Sequence, residues 1–584
     1  MDSKHVTEST SGQEDIQKTW WKEAIIYQIY PRSFQDSDGD GIGDLNGITS
    51  RLDYIQSLGV DIIWLNPIFL SPNDDNGYDI SDYREIMREF GTMEDFDRLL
   101  KEIHKREMRL VLDLVVNHTS DEHPWFEEAR KSRHNPYYNY YHWWPAEKGE
   151  PPLRLSYFDE EGNAWTYNKP TDSYYLHYFS RKQPDLNWEN PEVRQEIFDM
   201  MRFWFDKGID GFRMDSISLI AKDPSFPLID SKKYPDIFSF YAKEPRLHLY
   251  LHEMNRQVLS KYDCMSVGEG SAVMVDDVAK FVDPAREELN MLYHFDAARI
   301  RNTTLPDNPE SGIDYSLIAL KKMFTEWDKA VDKGWPSIYL GNHDQPRMVS
   351  RFGSDKDEFR ALSAKMLITF LLTMRGTPYW FAGDEIGMRN IRFDHIEDYN
   401  DIDTINRYKK AKAEGKDPQA VLDEQKETGR DNARTPFQWD RSPEAGFTAG
   451  TPWLKVNPDY TWINVADEEK DPTSILNYFK KVVSFRKENP SLIYGSYHLL
   501  DAENPQSYTF LRKTGADTYL IMLNFSPKAA ISTPGIDMSN AHVLLDNYGD
   551  RSHMAPQKDI TLRPFEAIVF QLNHPVYESF IDSL

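Results

Sequence analysis

Residues 208–216 read GIDGFRMDS. A glycine opens a short apolar run that carries Arg213 and Asp215 two residues apart. Alternate residues of a strand point the same way, so both side chains fall on one face of one strand. Seven further runs share this build: AIIYQIYP (24–31), VDIIWLNP (60–67), RLVLDLVVNH (109–118), MSVGEG (265–270), LYHFD (292–296), SIYLGNHD (337–344) and GTPYWFAGDE (376–385). Amphipathic stretches such as SRLDYIQSLG (50–59) and FDRLLKEIHKREM (96–108) precede several of them. Apolar strands alternating with helices predict a parallel sheet covered on both faces. Eight such units predict an α/β fold closed into a (β/α)8 TIM barrel.

Nearly every run ends in a polar cluster: NH, MDS, GEG, NHD or GDE. A core strand has no structural need to end in a carboxylate and a histidine, and the C-terminal strand ends are where barrel enzymes assemble their active sites. The endings therefore indicate an enzyme.

Between the third and fourth strands lies a long segment, 118–188, rich in Tyr, Trp and His, with HWWP (142–145) and SYFDEEGNAWTYN (156–168). A connection of that length predicts an inserted subdomain or lid. From residue 499 the pattern alternates, as in SYTFLRK, TYLIMLNFS and AIVFQL, which predicts a C-terminal antiparallel β-sandwich domain. The expected organisation is a disordered tail at 1–18, a barrel in two parts at 19–117 and 189–498, the insert at 118–188 and the β domain at 499–584.

The net charge of −27 argues against a nucleic-acid partner and is compatible with a small neutral substrate. The single cysteine, Cys264, excludes an intramolecular disulfide and suits a reducing compartment; it reads as a packing residue. Residues 1–18 carry no apolar signal segment, and the longest apolar run, 366–374, is too short for a bilayer. The expectation is a cytoplasmic monomer with no membrane partner.

The strand ends supply the chemistry. The third ends at Asn117 and His118, the fourth bears Arg213 and Asp215, and the seventh bears His343 and Asp344. The fifth bears Glu269 between Gly268 and Gly270, small neighbours that let a substrate approach closely. An arginine beside a carboxylate favours its ionised form, as a nucleophile requires. Three carboxylates thus converge on one barrel mouth. Glycoside cleavage needs one ionised and one protonated carboxyl group across the scissile bond, and mutual repulsion together with the arginine can split their pKa values into those roles.

DLVVNH, GFRMD, the glutamate of VGEG and NHD resemble the signature regions of the α-amylase superfamily of retaining glycoside hydrolases. QPDLNW (183–188), YQIYPRSF (27–34), NGYDI (76–80) and RDNARTPFQW (430–439) are similar to further marks of its oligo-1,6-glucosidase and maltase branch. The resemblance implies an exo-acting α-glucosidase with no organic cofactor. It implies Asp215 as nucleophile, Glu269 as general acid and base, and Asp344 as the third carboxylate. It implies that Asp79, His118, Arg213, His343 and Arg434 bind the non-reducing glucose, that Tyr78 stacks on it, and that Phe179 and Gln183 of the insert line the pocket.

DSDGDGIGD (36–44) places Asp36, Asp38, Asp40 and Asp44 at calcium-loop spacing, with Gly41 at the turn and the Ile42 carbonyl available. Hard oxygen ligands favour Ca2+, or Mg2+ where waters complete the shell. The loop departs from an EF-hand, since position twelve is Gly47 and a strand precedes it. It resembles a structural metal site of the same branch, and a structural cation is expected. Ser216 follows the proposed nucleophile. In this branch valine there resembles a mark of α-1,6 preference and a small residue a mark of maltase-type enzymes. The expectation is therefore maltose- and sucrose-type substrates ahead of isomaltose. Alternatives are an oligo-1,6-glucosidase, or a sucrose isomerase or transglucosidase using the same carboxylates.

Overall fold

Eight parallel strands occupy the eight runs read from the sequence: β1 (Ile26–Ile29), β2 (Ile62–Leu65), β3 (Arg109–Val115), β4 (Gly211–Asp215), β5 (Met265–Glu269), β6 (Met291–Tyr293), β7 (Ser337–Ile338) and β8 (Thr377–Phe381). The structure is a computed structural model that describes residues 18–158, 163–230, 232–233, 237–515, 517–552 and 557–572. The expected tail at 1–18 lies, except for Lys18, outside the described residues. The sheet runs β6-β5-β4-β3-β2-β1-β8-β7. Across the seam between β6 and β7, the Ser337 hydroxyl donates to the Leu292 carbonyl at 2.9 Å and that of Tyr339 to the His294 carbonyl at 2.6 Å. Ile26, Ile62, Trp64, Val111 and Val267 fill the barrel interior, and a larger core lies between the strands and the helices outside.

The entry into β4 shows how local sequence sets a strand end. Asn190 caps the helix Pro191–Lys207 by accepting from the Glu192 N–H. Gly208, at φ 107°, ends it in the left-handed region. Gly211 then passes so near β5 that a Cβ there would lie 2.3 Å from the Met265 carbonyl oxygen. The next residues run straight to Arg213 and Asp215.

The segment 118–188 carries a three-stranded antiparallel sheet of Trp143–Pro145, Ser173–Leu176 and Trp165–Asn168. Its exit is pinned to the barrel. Trp188 donates to the Val116 carbonyl at 2.8 Å, and Asp185 pairs with Lys222 at 3.2 Å with both side chains fully buried.

Five further strands, β9 (Ser496–Leu500), β10 (Ser507–Thr514), β11 (Asp517–Asn524), β12 (Ala541–Asp546) and β13 (Ala567–Leu572), form an antiparallel sheet in the order β9-β10-β11-β13-β12. Its alternation is two-sided. Tyr508, Phe510, Ile521 and Leu523 join the barrel's outer core. Leu520, Met522, Ile568 and Phe570 pack against Ile560 and Leu562 of a separate two-stranded pair. The junction with the barrel is polar at its centre. The fully buried Arg512 donates to the carbonyls of Leu492 at 2.8 Å, Ile493 at 3.2 Å and Gly495 at 2.8 Å. Beside it the buried Arg486 donates to Leu372 at 2.8 Å and Met374 at 2.9 Å, at the C-terminal end of the helix Arg360–Thr373. Lys321 reaches the carbonyls of Asp501, Asn504 and Ser507 at 3.0, 2.8 and 3.2 Å. Among the described residues no helix is long and apolar enough to cross a membrane.

Candidate active site

The strand register brings the charged residues together. Asp113 of β3 pairs with Arg213 of β4, Val115 with Asp215, and Glu269 of β5 with Tyr293 of β6. Arg213 is fully buried and holds the group. Its Nη1 donates to Asp113 and to Asp215, each at 2.8 Å. Its Nη2 donates to Glu269 Oε2 at 2.6 Å, with the Tyr293 hydroxyl 2.7 Å away. One guanidinium thus orients three carboxylates, one from each of three adjacent strands.

Asp113 was not anticipated. Its signal was a single acid within the otherwise apolar DLVV. It also accepts from the Tyr78 hydroxyl at 3.0 Å. That hydroxyl lies 2.6 Å from His343 Nε2, while the Gln28 amide nitrogen lies 2.8 Å from His343 Nδ1. Gln28 can only donate there, so Nε2 bears the proton and the ring is neutral. Burial pushes the His343 pKa down to about 3, in accord with this.

Burial raises the Asp215 carboxyl to about 6, with Arg213 opposing the rise and Asp113 adding to it. This corrects the expectation that the neighbouring Arg213 lowers it: removal from water outweighs the arginine. Burial raises Glu269 further, to about 8, again against Arg213, with Asp215 and Asp344 adding to the rise. Asp344 goes the other way. Burial is outweighed there by His343, Arg430 and Arg434, and the carboxyl is held well below the usual carboxylate range. With His343 neutral, the two arginines carry that effect, at 3.2 and 2.9 Å. The three carboxyls are therefore ordered in acidity, which suits one proton shared between attack and departure.

Asp215, Ser216, Glu269 and Asp344 line a cavity of about 730 Å³, together with Tyr78, His118 and Phe179. Five expected residues do not reach it: Asp79, Arg434, Arg213, Gln183 and His343. Asp79 is fully buried and accepts the N–H groups of Asp74 and Asp75 at 2.8 and 3.0 Å and the Ser71 hydroxyl at 3.0 Å. Asp75, which that carboxylate positions, stands on the wall instead. Arg434 lies behind Asp344 and bonds the His343 carbonyl at 2.8 Å, while Arg430 faces the cavity. The acid-rich NDDNGYD and the two arginines of RDNAR carried no pattern that separates wall from support. Arg213, Gln183 and His343 also act from behind the wall. Gln183 is buried and donates to Asp75 at 3.2 Å.

Gly268 and Gly270 do not open the approach to substrate, as was expected of them. A Cβ on either would meet Leu289, Ile217 or Leu292 within 3 Å, so these glycines serve strand packing rather than substrate approach. Cys264 precedes β5 half-buried, with its thiol pushed up to about 12 by burial. The helices Ile402–Ala413 and Pro418–Thr428 add Asp403, Arg407 and Glu424 to the wall; none of the motifs read from the sequence lies in this stretch.

In the loop 36–44 the carboxylate oxygens of Asp36, Asp38 and Asp40 lie within 4.8 Å of one another. Burial raises the Asp40 carboxyl, with Asp38, Asp36 and Asp44 adding repulsion. Asp44 turns partly away, accepting from Ser37 and from the Gly47 N–H at 2.7 Å. Three convergent carboxylates remain a donor set that fits a hard cation.

Residues 28–495 match the α-amylase catalytic domain. The chain is 51% identical to the oligo-1,6-glucosidase of Parageobacillus thermoglucosidasius, over 96% of this chain and 100% of that one. It is 49% identical to the oligo-1,6-glucosidase of Bacillus cereus, over 95% and 100%. The solved trehalulose synthase MutB from Pseudomonas mesoacidophila MX-45 superposes with a TM-score of 0.90 at 43% identity, over 95% of this chain and 99% of that one. The barrel, the carboxylate set and this match along the chain lead to one conclusion: the protein belongs to the α-amylase family and is a glycoside hydrolase.

Proposed function

We propose that this protein is an exo-acting α-glucosidase that releases single glucose units from short neutral oligosaccharides with retention of configuration. The observation that carries the reading is Arg213 bonded at once to Asp215 and Glu269 beside a cavity that both carboxylates line. Asp215 attacks the anomeric carbon as Glu269 gives its proton to the departing oxygen. Water, deprotonated by Glu269, then releases the glucose from Asp215. Asp344, kept charged by its arginines, takes the sugar hydroxyls. His118, Asp75 and Arg430 bind the terminal glucose and Tyr78 stacks on it, while Arg213, Gln183, Asp79, His343 and Arg434 hold these groups in place.

Two observations bear on linkage. Full-length likeness to oligo-1,6-glucosidases supports α-1,6 substrates. The small Ser216 on the cavity wall, with its N–H 3.1 Å from Glu269, supports maltose- and sucrose-type substrates. We read the enzyme as accepting both linkages. A second reading, transfer or isomerisation of sucrose, is favoured by the likeness to trehalulose synthase. Product analysis with maltose, isomaltose and sucrose side by side tests all three. Free glucose from maltose and isomaltose supports the hydrolase, a new disaccharide from sucrose the isomerase, and no product from any of them ends the reading.

A structural cation belongs to the same proposal. Asp36, Asp38 and Asp40, with the Ile42 carbonyl and Asp44 in the same loop, would hold Ca2+, or Mg2+ with more water, and tie the loop without taking part in the chemistry.

A further inference from the structure

Glu269 is bonded differently at its two oxygens. Oε2 takes two donors, Arg213 Nη2 at 2.6 Å and the Ser216 N–H at 3.1 Å. Oε1 takes one, the Ser271 hydroxyl at 3.0 Å. Arginine and a backbone amide can only donate, so Oε2 has no place for a proton beside them, and the acid's proton belongs on Oε1. A serine hydroxyl can turn, donating to a carboxylate or accepting from a carboxylic acid. Ser271 stands half-buried on the cavity wall. Its backbone is anchored to the loop after β4, where the Ser218 hydroxyl donates to the Ser271 carbonyl at 3.1 Å.

We propose that Ser271 is a positioning residue for Glu269, whose rotating hydroxyl holds Oε1 through both halves of the reaction. The proposal rests on the reading of Glu269 as general acid and base. In the first half the Oε1 proton passes to the glycosidic oxygen as its bond to the anomeric carbon breaks and the bond to Asp215 forms. Glu269 is left a carboxylate, and Ser271 donates to it. In the second half Oε1 takes a proton from water, whose oxygen bonds the anomeric carbon as the Asp215 ester breaks. Ser271 then turns to accept from the restored acid.

The charged and titratable groups that face Glu269 are Arg213 and Asp215 from β4, Asp113 from β3, Tyr293 from β6, and Tyr339 and Asp344 beyond β7. All of them remain in a Ser271→Ala variant. That variant loses a donor to the charged form and an acceptor for the neutral acid; the bond to the charged group is the stronger of the two, so Glu269 becomes a weaker acid. The expected result is a kcat lowered about 10-fold with KM within about 2-fold, as for loss of one positioned hydrogen bond to a charged group. The basic limb of kcat/KM against pH moves to higher pH, and Ser271→Thr restores both. The limb is read as a ratio across pH, so it survives partial misfolding of the variant. Glu269→Gln is measured alongside. Full activity there overturns the reading of Glu269 itself. An inactive Glu269→Gln with an unmoved limb in Ser271→Ala, or without rescue by threonine, overturns the role of Ser271 alone.

Discussion

Asp113 sits 2.8 Å from the same Arg213 nitrogen that holds Asp215, yet it does not line the cavity. Its negative charge works against ionisation of both Asp215 and Glu269. Asp113→Asn removes that charge and keeps the shape. Both limbs of the kcat/KM profile are expected to move to lower pH, with activity at the optimum falling by roughly 10-fold as Arg213 relaxes. A profile that stays in place would show that Asp113 only fills space.

The wild-type profile itself follows from the ordered carboxyls. Below about 6 Asp215 takes a proton and ceases to be a nucleophile. Above about 8 Glu269 loses the proton that the leaving oxygen needs. A bell between these limbs in kcat/KM is expected, belonging to the pair as a unit. A rate that keeps rising above pH 9 would contradict it.

Asp215→Ala should lower turnover by on the order of 10⁴-fold or more with the melting temperature little changed. Glu269→Gln should spare substrates with a good leaving group, such as a nitrophenyl glucoside, and cripple maltose. Equal losses on both would remove Glu269 as the acid.

Asp75 and Asp79 separate binding from support. Asp75→Ala removes a wall residue, so kcat/KM should fall with the melting temperature kept. Asp79→Ala leaves three donors unpartnered in a buried place, each costing about 1–3 kcal/mol, so the melting temperature should fall. Thermal melts and kinetics of the two variants check this, and a reversed pattern would exchange their roles.

How far the sequence spoke can be judged from these same residues. Every barrel strand stands in one of the eight apolar runs, because burial on both faces forces a continuous apolar pattern. Asp215, Glu269 and Asp344 were visible as carboxylates at strand ends, and all three line the cavity. What stayed hidden was depth. NDDNGYD offers three acids, and which one faces the cavity depends on how the loop folds around the N–H groups of residues 74 and 75. The same holds for Arg430 and Arg434, four residues apart on one short helical turn. The stretch that supplies Asp403 and Glu424 bears none of the motifs, since its exposure to the cavity is set by the barrel beneath.

Removal of divalent cations tests the loop 36–44. A cation held at a hundredfold its Kd adds about 2.7 kcal/mol, so chelation should lower the melting temperature while leaving kcat and KM unchanged well below it. An unchanged melt would leave the acids as a turn.

Arg486 and Arg512 sit side by side at the junction of the barrel with the C-terminal sheet, and their terminal Nη groups donate to carbonyls of the helix end at 372–374 and of the turn at 492–495. Neither part can be lifted away without leaving a guanidinium facing an apolar cut and helix carbonyls bare. The sheet is thus a buckle rather than an appendage. Heating should show one cooperative transition rather than two, and the catalytic barrel should not survive excision as a free-standing unit.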